Sequence, residues 1–222
     1  MIFRAYMQPN DPRWRGRQRW GPVLFLPITF IFIVIWILFI ADQAYSRVLW
    51  EKYNKAREEA IRTKSYNTIP PSPPVNWDND SSYGQDGVDD FFLRAGIAII
   101  PETFHIPIHH VLIHKNRNHP VAALTLSIIC MGLWLSSGLM TLFIWWSKEY
   151  SHSETNAFDE LVMAGMGLQF VLTLLYLIYM GFAAAAVHKW RGNKKNGEAF
   201  QKGVIAGLEL ASMKKPGEDE RV

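Results

Sequence analysis

Four of the chain's seven histidines fall between Phe104 and His114, in the stretch FHIPIHHVLIH. Imidazole is a common metal ligand and titrates near neutral pH, so this density raises metal or haem chemistry. His105 and His109 are four apart, as are His110 and His114. A helix would put each pair on one face. Glu102 adds a carboxylate that could be bent into a cluster with His105 and His109, but Pro107 is expected to break the helical spacing between the two histidines. A bis-histidine haem needs axial ligands on facing helices, and the long apolar runs carry no histidine in their interiors. Zinc asks for three or four donors. The non-catalytic reading takes His105, His109, His110 and His114 as amphipathic rings at a lipid headgroup boundary. The sequence favours that reading over a metal centre, and no cofactor is expected.

The elements that would carry these residues are read from apolar blocks. Val23–Ala41, Val121–Ser147 and Leu161–Val187 contain no charged residue. An uncharged apolar run of about 18 residues or more is long enough for a helix to cross a hydrocarbon core of ~30 Å. Three such runs in 222 residues cannot all be covered by the polar remainder. The fold class expected is therefore all-α, a multi-span transmembrane bundle with three clear spans and a weak fourth membrane-embedded segment. The first run is too long for a signal peptide, and no small-x-small cleavage site follows it.

The boundaries follow from composition. Residues 1–20 form a basic tail, 21–41 a span, and 42–90 a charged helix followed by a Pro- and Asp-rich loop. Residues 91–114 form a weak span or re-entrant segment, and 115–120 a short basic turn. Residues 121–147 form a span, 148–157 a loop, 158–187 a span, and 188–222 a basic tail. Gly192 is expected to end the last span, after His188, Lys189 and Arg191. In the tail, Phe200, Val204, Leu208 and Ala211 recur at helical spacing, weakened by Gly203 and Gly207. Trp14 and Trp20, among the arginines, suit a segment resting at headgroup level.

Lys and Arg decide orientation. Arg4, Arg13, Arg15, Arg17 and Arg19 precede the first span, against Arg47, Lys52 and Lys55 soon after it. The last span leaves into HKWRGNKK, whereas KEYSHSETN before it holds one lysine. Both ends are then cytosolic, which requires an even number of crossings. Only residues 91–114 can supply the fourth. By itself this stretch inserts poorly, because one charged residue costs ~2.5–3.5 kcal/mol and each Leu or Ile returns only ~0.3–0.6 kcal/mol. Arg94, Glu102 and the histidines must be covered by neighbouring helices if the segment crosses. The competing solution is three crossings, with the arginine-rich end outside and this segment in the interface. The sequon Asn79-Asp80-Ser81 marks Asn79 as a glycosylation candidate, in a loop that four crossings place outside the cytosol.

Other chemistry is sparse. HIPIHH matches the His-x-x-x-His-His box of membrane fatty-acid desaturases and hydroxylases, a resemblance of six residues; that family holds two irons with about eight histidines in three boxes, and this chain has seven in all. The single cysteine, Cys130, excludes an intramolecular disulfide and, read along the chain, a cysteine-based metal site. Gly132 with Ser136, and Gly181 with Ala185, are small-x-x-x-small pairs that would let helices approach closely, and each glycine is expected against another helix.

From Val121 to Arg191, with the KNRNHP turn before it and the VHKWR exit at its end, the layout resembles small tetraspan membrane proteins, MARVEL-like proteins in particular. The resemblance implies four helices, cytosolic ends and a non-enzymatic role in membrane organisation, vesicle traffic or junction-like assembly. It brings no catalytic residue. The expected function is a scaffold or accessory subunit in a plasma or secretory-pathway membrane. Its partners would be the lipid bilayer and itself or other membrane proteins, with no nucleic acid. The alternatives are a metal-dependent membrane oxidoreductase using His105, His109, His110 and His114, and a transporter or channel subunit.

Overall fold

The computed structural model describes residues 6, 14, 16–65, 67, 69, 75–76, 85–86, 91–115, 117–146 and 156–213. Asn79 lies outside them. A 3₁₀ turn, Gly16–Arg19, leads into α1 (Trp20–Thr63), and a π-helical turn, Phe92–Gly96, leads into α2 (Ile97–His114). Then come α3 (Pro120–Trp146) and α4 (Asn156–Met213). Two-residue strands, β1 (Val75–Asn76) and β2 (Gln85–Asp86), pair in parallel between α1 and α2. The architecture is an all-α bundle of four long apolar helices. Each is long and apolar enough to cross a membrane.

The helices alternate in direction, as their contacts require. On α1, Phe25 stacks on His109, while Asp42, more than four turns later, pairs with Arg94, which precedes His109 on the adjoining segment. On α3, Cys130 meets His105 and Ser137 meets the Arg94 carbonyl, so α3 opposes α2. On α4, Gln169 meets Arg94 and Tyr179 meets His109, so α4 runs with α2. Trp14, the turn before α3, and the Tyr179–Val187 portion of α4 therefore share one end of the bundle.

Two helices outrun the bundle. α1 has 44 residues, about 66 Å, and α4 has 58, about 87 Å. Beyond Ala41, α1 continues through the charged EKYNKAREEAIRT, mostly exposed but with Tyr53 and Ala60 buried, and stops at Lys64, whose left-handed φ of 57° closes the helix. There the Lys64 N–H donates to Ile61 and the Ser65 N–H to Ala60, satisfying the last carbonyls. At the opposite end α4 runs on past Gly192, Gly197, Gly203 and Gly207 to Met213. The expected stop at Gly192 is thus corrected: glycine lowers helix propensity by only ~1 kcal/mol, which cooperative growth of an already long helix overrides. Phe200, Val204 and Leu208 lie on this extension and are exposed.

α2 corrects a second expectation. It is continuous through Pro101 and Pro107, and the rings of His105 and His109 lie 5.2 Å apart on one face. Each proline removes one backbone bond in a helix that packing holds from three sides, so the spacing survives.

Glycines differ sharply in their surroundings. A Cβ at Gly21 would fall 2.6 Å from the Trp14 ring and 3.3 Å from Phe182 Cβ, whereas none within 4 Å would be met at Gly132 or Gly181. We expect Gly21→Ala to lower the thermal unfolding midpoint in detergent by displacing Trp14. Gly132→Ala and Gly181→Ala should leave it unchanged or raise it, since alanine favours a helix by up to ~1 kcal/mol. Equal midpoints for Gly21→Ala and Gly181→Ala would refute this account of the packing.

Candidate functional site: the buried polar face of α2

One stripe of the second helical segment, Arg94, Ala98, Glu102, His105, His109 and Ile113, recurs at three- and four-residue spacing and is buried throughout. Every one of its polar members is covered by side chains of α1, α3 and α4. Three groups of contacts result, ordered along the bundle.

At the Arg94 level, the guanidinium pairs with Asp42 Oδ2 at 2.6 Å, with side-chain exposures of 5% and 2%. Phe39 lies under the guanidinium, 5.7 Å from ring centroid to Cζ. The Arg94 carbonyl, inside the π-helical turn, draws in Ser137, Thr141 at 3.2 Å and Gln169 at 3.2 Å as donors. Three donors on one carbonyl exceed its two lone pairs, so they share it. A pocket at this level is lined by Asp42, Arg94, Thr141 and Gln169 together with apolar residues.

The central group is Glu102, His105, Cys130, Trp134 and Tyr176. Tyr176 donates to Glu102 Oε1, and Trp134 Nε1 donates to Oε2 at 3.4 Å. His105 Nδ1 lies 3.3 Å from Glu102 Oε1, 3.3 Å from the Tyr176 hydroxyl and 3.4 Å from Cys130 Sγ. Glu102 is 1% exposed and His105 8%.

At the third level, His109 Nε2 meets the Tyr179 hydroxyl at 2.7 Å and Asn118 Nδ2 at 3.4 Å, and Phe25 stacks on the ring with centroids 4.1 Å apart. Trp14 stacks on Tyr179 and donates to the Asn118 carbonyl at 2.8 Å. His110 turns away, toward the amino-terminal side. Burial pushes the Tyr6 phenol up, and its hydroxyl bonds to His110 Nδ1. His110 Nε2 lies 2.9 Å from Thr29 Oγ1, and Thr29 donates to the Phe25 carbonyl at 2.8 Å.

The four clustered histidines therefore do not converge. His105 and His109 face the interior, His110 faces Tyr6, and His114 is exposed. This corrects the boundary reading for His105 and His109, which the helical repeat turns toward the other helices. Trp14 is corrected likewise: at 1% exposure it seals the bundle end, while Trp20 is 47% exposed. Cys130 is corrected too, because α3 carries it to His105, a proximity that no local spacing encodes.

Gly132, Ser136, Gly181 and Ala185 are exposed, and a Cβ at either glycine would meet nothing within 4 Å among the described residues. α3 buries Ala123, Ser127, Cys130, Trp134 and Thr141, and α4 buries Leu172, Tyr176, Tyr179 and Ala183. The small residues fall on the opposite faces. Comparison with protein-family models, curated proteins and solved structures finds no match to this chain.

Breaking a buried ion pair from one side strands the other charge, at a cost of ~3–5 kcal/mol. Asp42→Asn and Arg94→Leu should each lower the unfolding midpoint markedly, and the double variant Asp42→Leu/Arg94→Met should recover part of the loss. Single variants as stable as the parent chain would refute a structural role for the pair.

Proposed function

We propose that this chain is a multi-pass membrane protein that crosses four times and serves as a scaffold or accessory subunit through helix packing. The observation that carries the reading is the inverted surface of the bundle. Ile33, Ile37 and Ile40, then Phe104, Ile108 and Val111, then Leu135, Leu139 and Phe143, then Leu174, Leu177 and Ile178 are exposed, while Arg94, Glu102, His105 and His109 are buried. Large apolar groups outside and ionisable groups inside suit a hydrocarbon solvent, where only internally satisfied helices are tolerated.

The packing also answers the objection that α2 inserts poorly, since Arg94, Glu102, His105 and His109 each meet a side chain of another helix. The distribution of Lys and Arg favours cytosolic placement of the arginine-rich segment, the 115–119 turn and the basic extension of α4. A plasma or secretory-pathway membrane fits the sequon at Asn79. The scaffold role rests on the outward small-residue pairs, Gly132 with Ser136 and Gly181 with Ala185. Exposed small residues let a partner helix approach backbone to backbone. This arrangement keeps the tetraspan layout that resembles MARVEL-like proteins. An oxidoreductase using all four clustered histidines gains no support, because His110 is bonded to Tyr6 and Thr29 and His114 is exposed.

Two experiments test the proposal. Cysteines placed at Ser65, Arg117 and Phe200, with the buried native Cys130 left in place, should label from opposite sides of the membrane: 65 on one side, 117 and 200 on the other. Labelling of 65 and 117 from the same side would mean that α2 does not cross. Separately, Gly132→Leu and Gly181→Leu should weaken self-association or co-purification with membrane partners while the monomer stays folded. Unchanged assembly in both would remove the scaffold role.

A further inference from the structure

We propose that Glu102, His105 and Cys130 form a buried site for a divalent metal ion of the zinc class, tying α2 to α3. The ligand atoms, a carboxylate oxygen, an imidazole nitrogen and a sulfur, all lie within 4.8 Å of one another. Metal bonds of ~2.0–2.1 Å for N and O and ~2.3 Å for S, in a tetrahedron, place N and O about 3.3 Å apart and N and S about 3.6 Å apart. The observed Nδ1–Oε1 and Nδ1–Sγ separations are 3.3 and 3.4 Å. Two of the three separations thus match a tetrahedral site, and the Glu102–Cys130 separation lies within the same 4.8 Å.

Charge points the same way. Glu102 is 1% exposed, and among the described residues the side chains that bond to it, Tyr176, Trp134 and His105, include no lysine or arginine. The nearest stripe cation, Arg94, is engaged by Asp42. A buried carboxylate without a countercharge is costly. A divalent ion held by one carboxylate and one thiolate brings the site to neutrality, with the thiol proton released to solvent on binding.

Donor chemistry selects the ion. Calcium and magnesium take all-oxygen shells, whereas imidazole with thiolate suits zinc. Trp134 and Tyr176 hold the two carboxylate oxygens in position, as outer partners of a ligating carboxylate do. The residue types differ from a four-histidine centre: His109 serves Tyr179 and Asn118, and His114 is outside. The inference rests on the packing of α2, α3 and α4 and is independent of the number of membrane crossings.

The test uses the full chain, purified in detergent without chelator and then exchanged into Co²⁺. Elemental analysis should find about one zinc per chain. The cobalt form should show a thiolate-to-cobalt charge-transfer band in the near ultraviolet. Cys130→Ser should abolish the band and reduce bound zinc to about a tenth or less of the parent level, as loss of a ligand from a small site implies. His114→Ala, at an exposed position, should keep both. Helical circular dichroism and a monodisperse elution profile identify folded variants. Glu102→Gln should likewise reduce bound zinc; if it fails to fold, Cys130→Ser, which conserves volume, carries the comparison. Parent chain that holds no zinc and gives no band on Co²⁺ titration overturns the proposal. So does a band that survives Cys130→Ser.

Discussion

Everything in this bundle answers to one constraint: the polar face of α2 must be covered by protein. Arg94, Glu102, His105 and His109 lie on a single stripe, and α1, α3 and α4 each supply partners to it. Asp42 comes from α1, Ser137, Thr141, Cys130 and Trp134 from α3, and Gln169, Tyr176 and Tyr179 from α4. An unsatisfied polar group in an apolar interior costs several times what a satisfied one contributes. The weakest helix by hydropathy therefore dictates how the three strongest pack.

The same constraint explains features that are odd in isolation. The π-helical turn at Phe92–Gly96 presents the Arg94 carbonyl to three side-chain donors while its guanidinium reaches Asp42. π-Turns are tolerated where other elements take up the displaced backbone groups, and here α3 and α4 do so. At the other end, Trp14 closes over Tyr179 and Asn118, which themselves cover His109. The two ends are held differently, one by a charge pair and the other by stacked aromatic rings. Between them sits the densest collection of ligating atoms, at the level where α2, α3 and α4 meet.

The outward faces tell a complementary story. With its polar groups turned in, the bundle exposes isoleucine, leucine and phenylalanine on all four helices, broken by small residues at Gly132, Ser136, Gly181 and Ala185. Such a surface suits lipid and close helix approach alike. The long extensions of α1 and α4 leave the bundle at opposite ends and are rich in charged residues, away from the apolar body. A scaffold would present both kinds of surface.

The fold class was legible in the sequence because it depends on local quantities. Uncharged runs longer than a bilayer core mark α1, α3 and α4, and the charged stretch after Ala41 continues α1 as a helix. The three- and four-residue spacing of Glu102, His105 and His109 already aligned them on one face. Pro107 and Gly192 misled for one reason: propensity is a local bias of about 1–3 kcal/mol, which packing and cooperative helix growth override. What only the tertiary structure decided is everything that joins residues far apart in the chain. Asp42 with Arg94, Cys130 with His105, Tyr176 with Glu102 and Tyr179 with His109 are set by the rotation of each helix about its axis. That rotation follows from burying one polar stripe against three neighbours. It also turned Gly132 and Gly181 outward, because the same helices had to give their inner faces to Cys130, Trp134, Tyr176 and Tyr179.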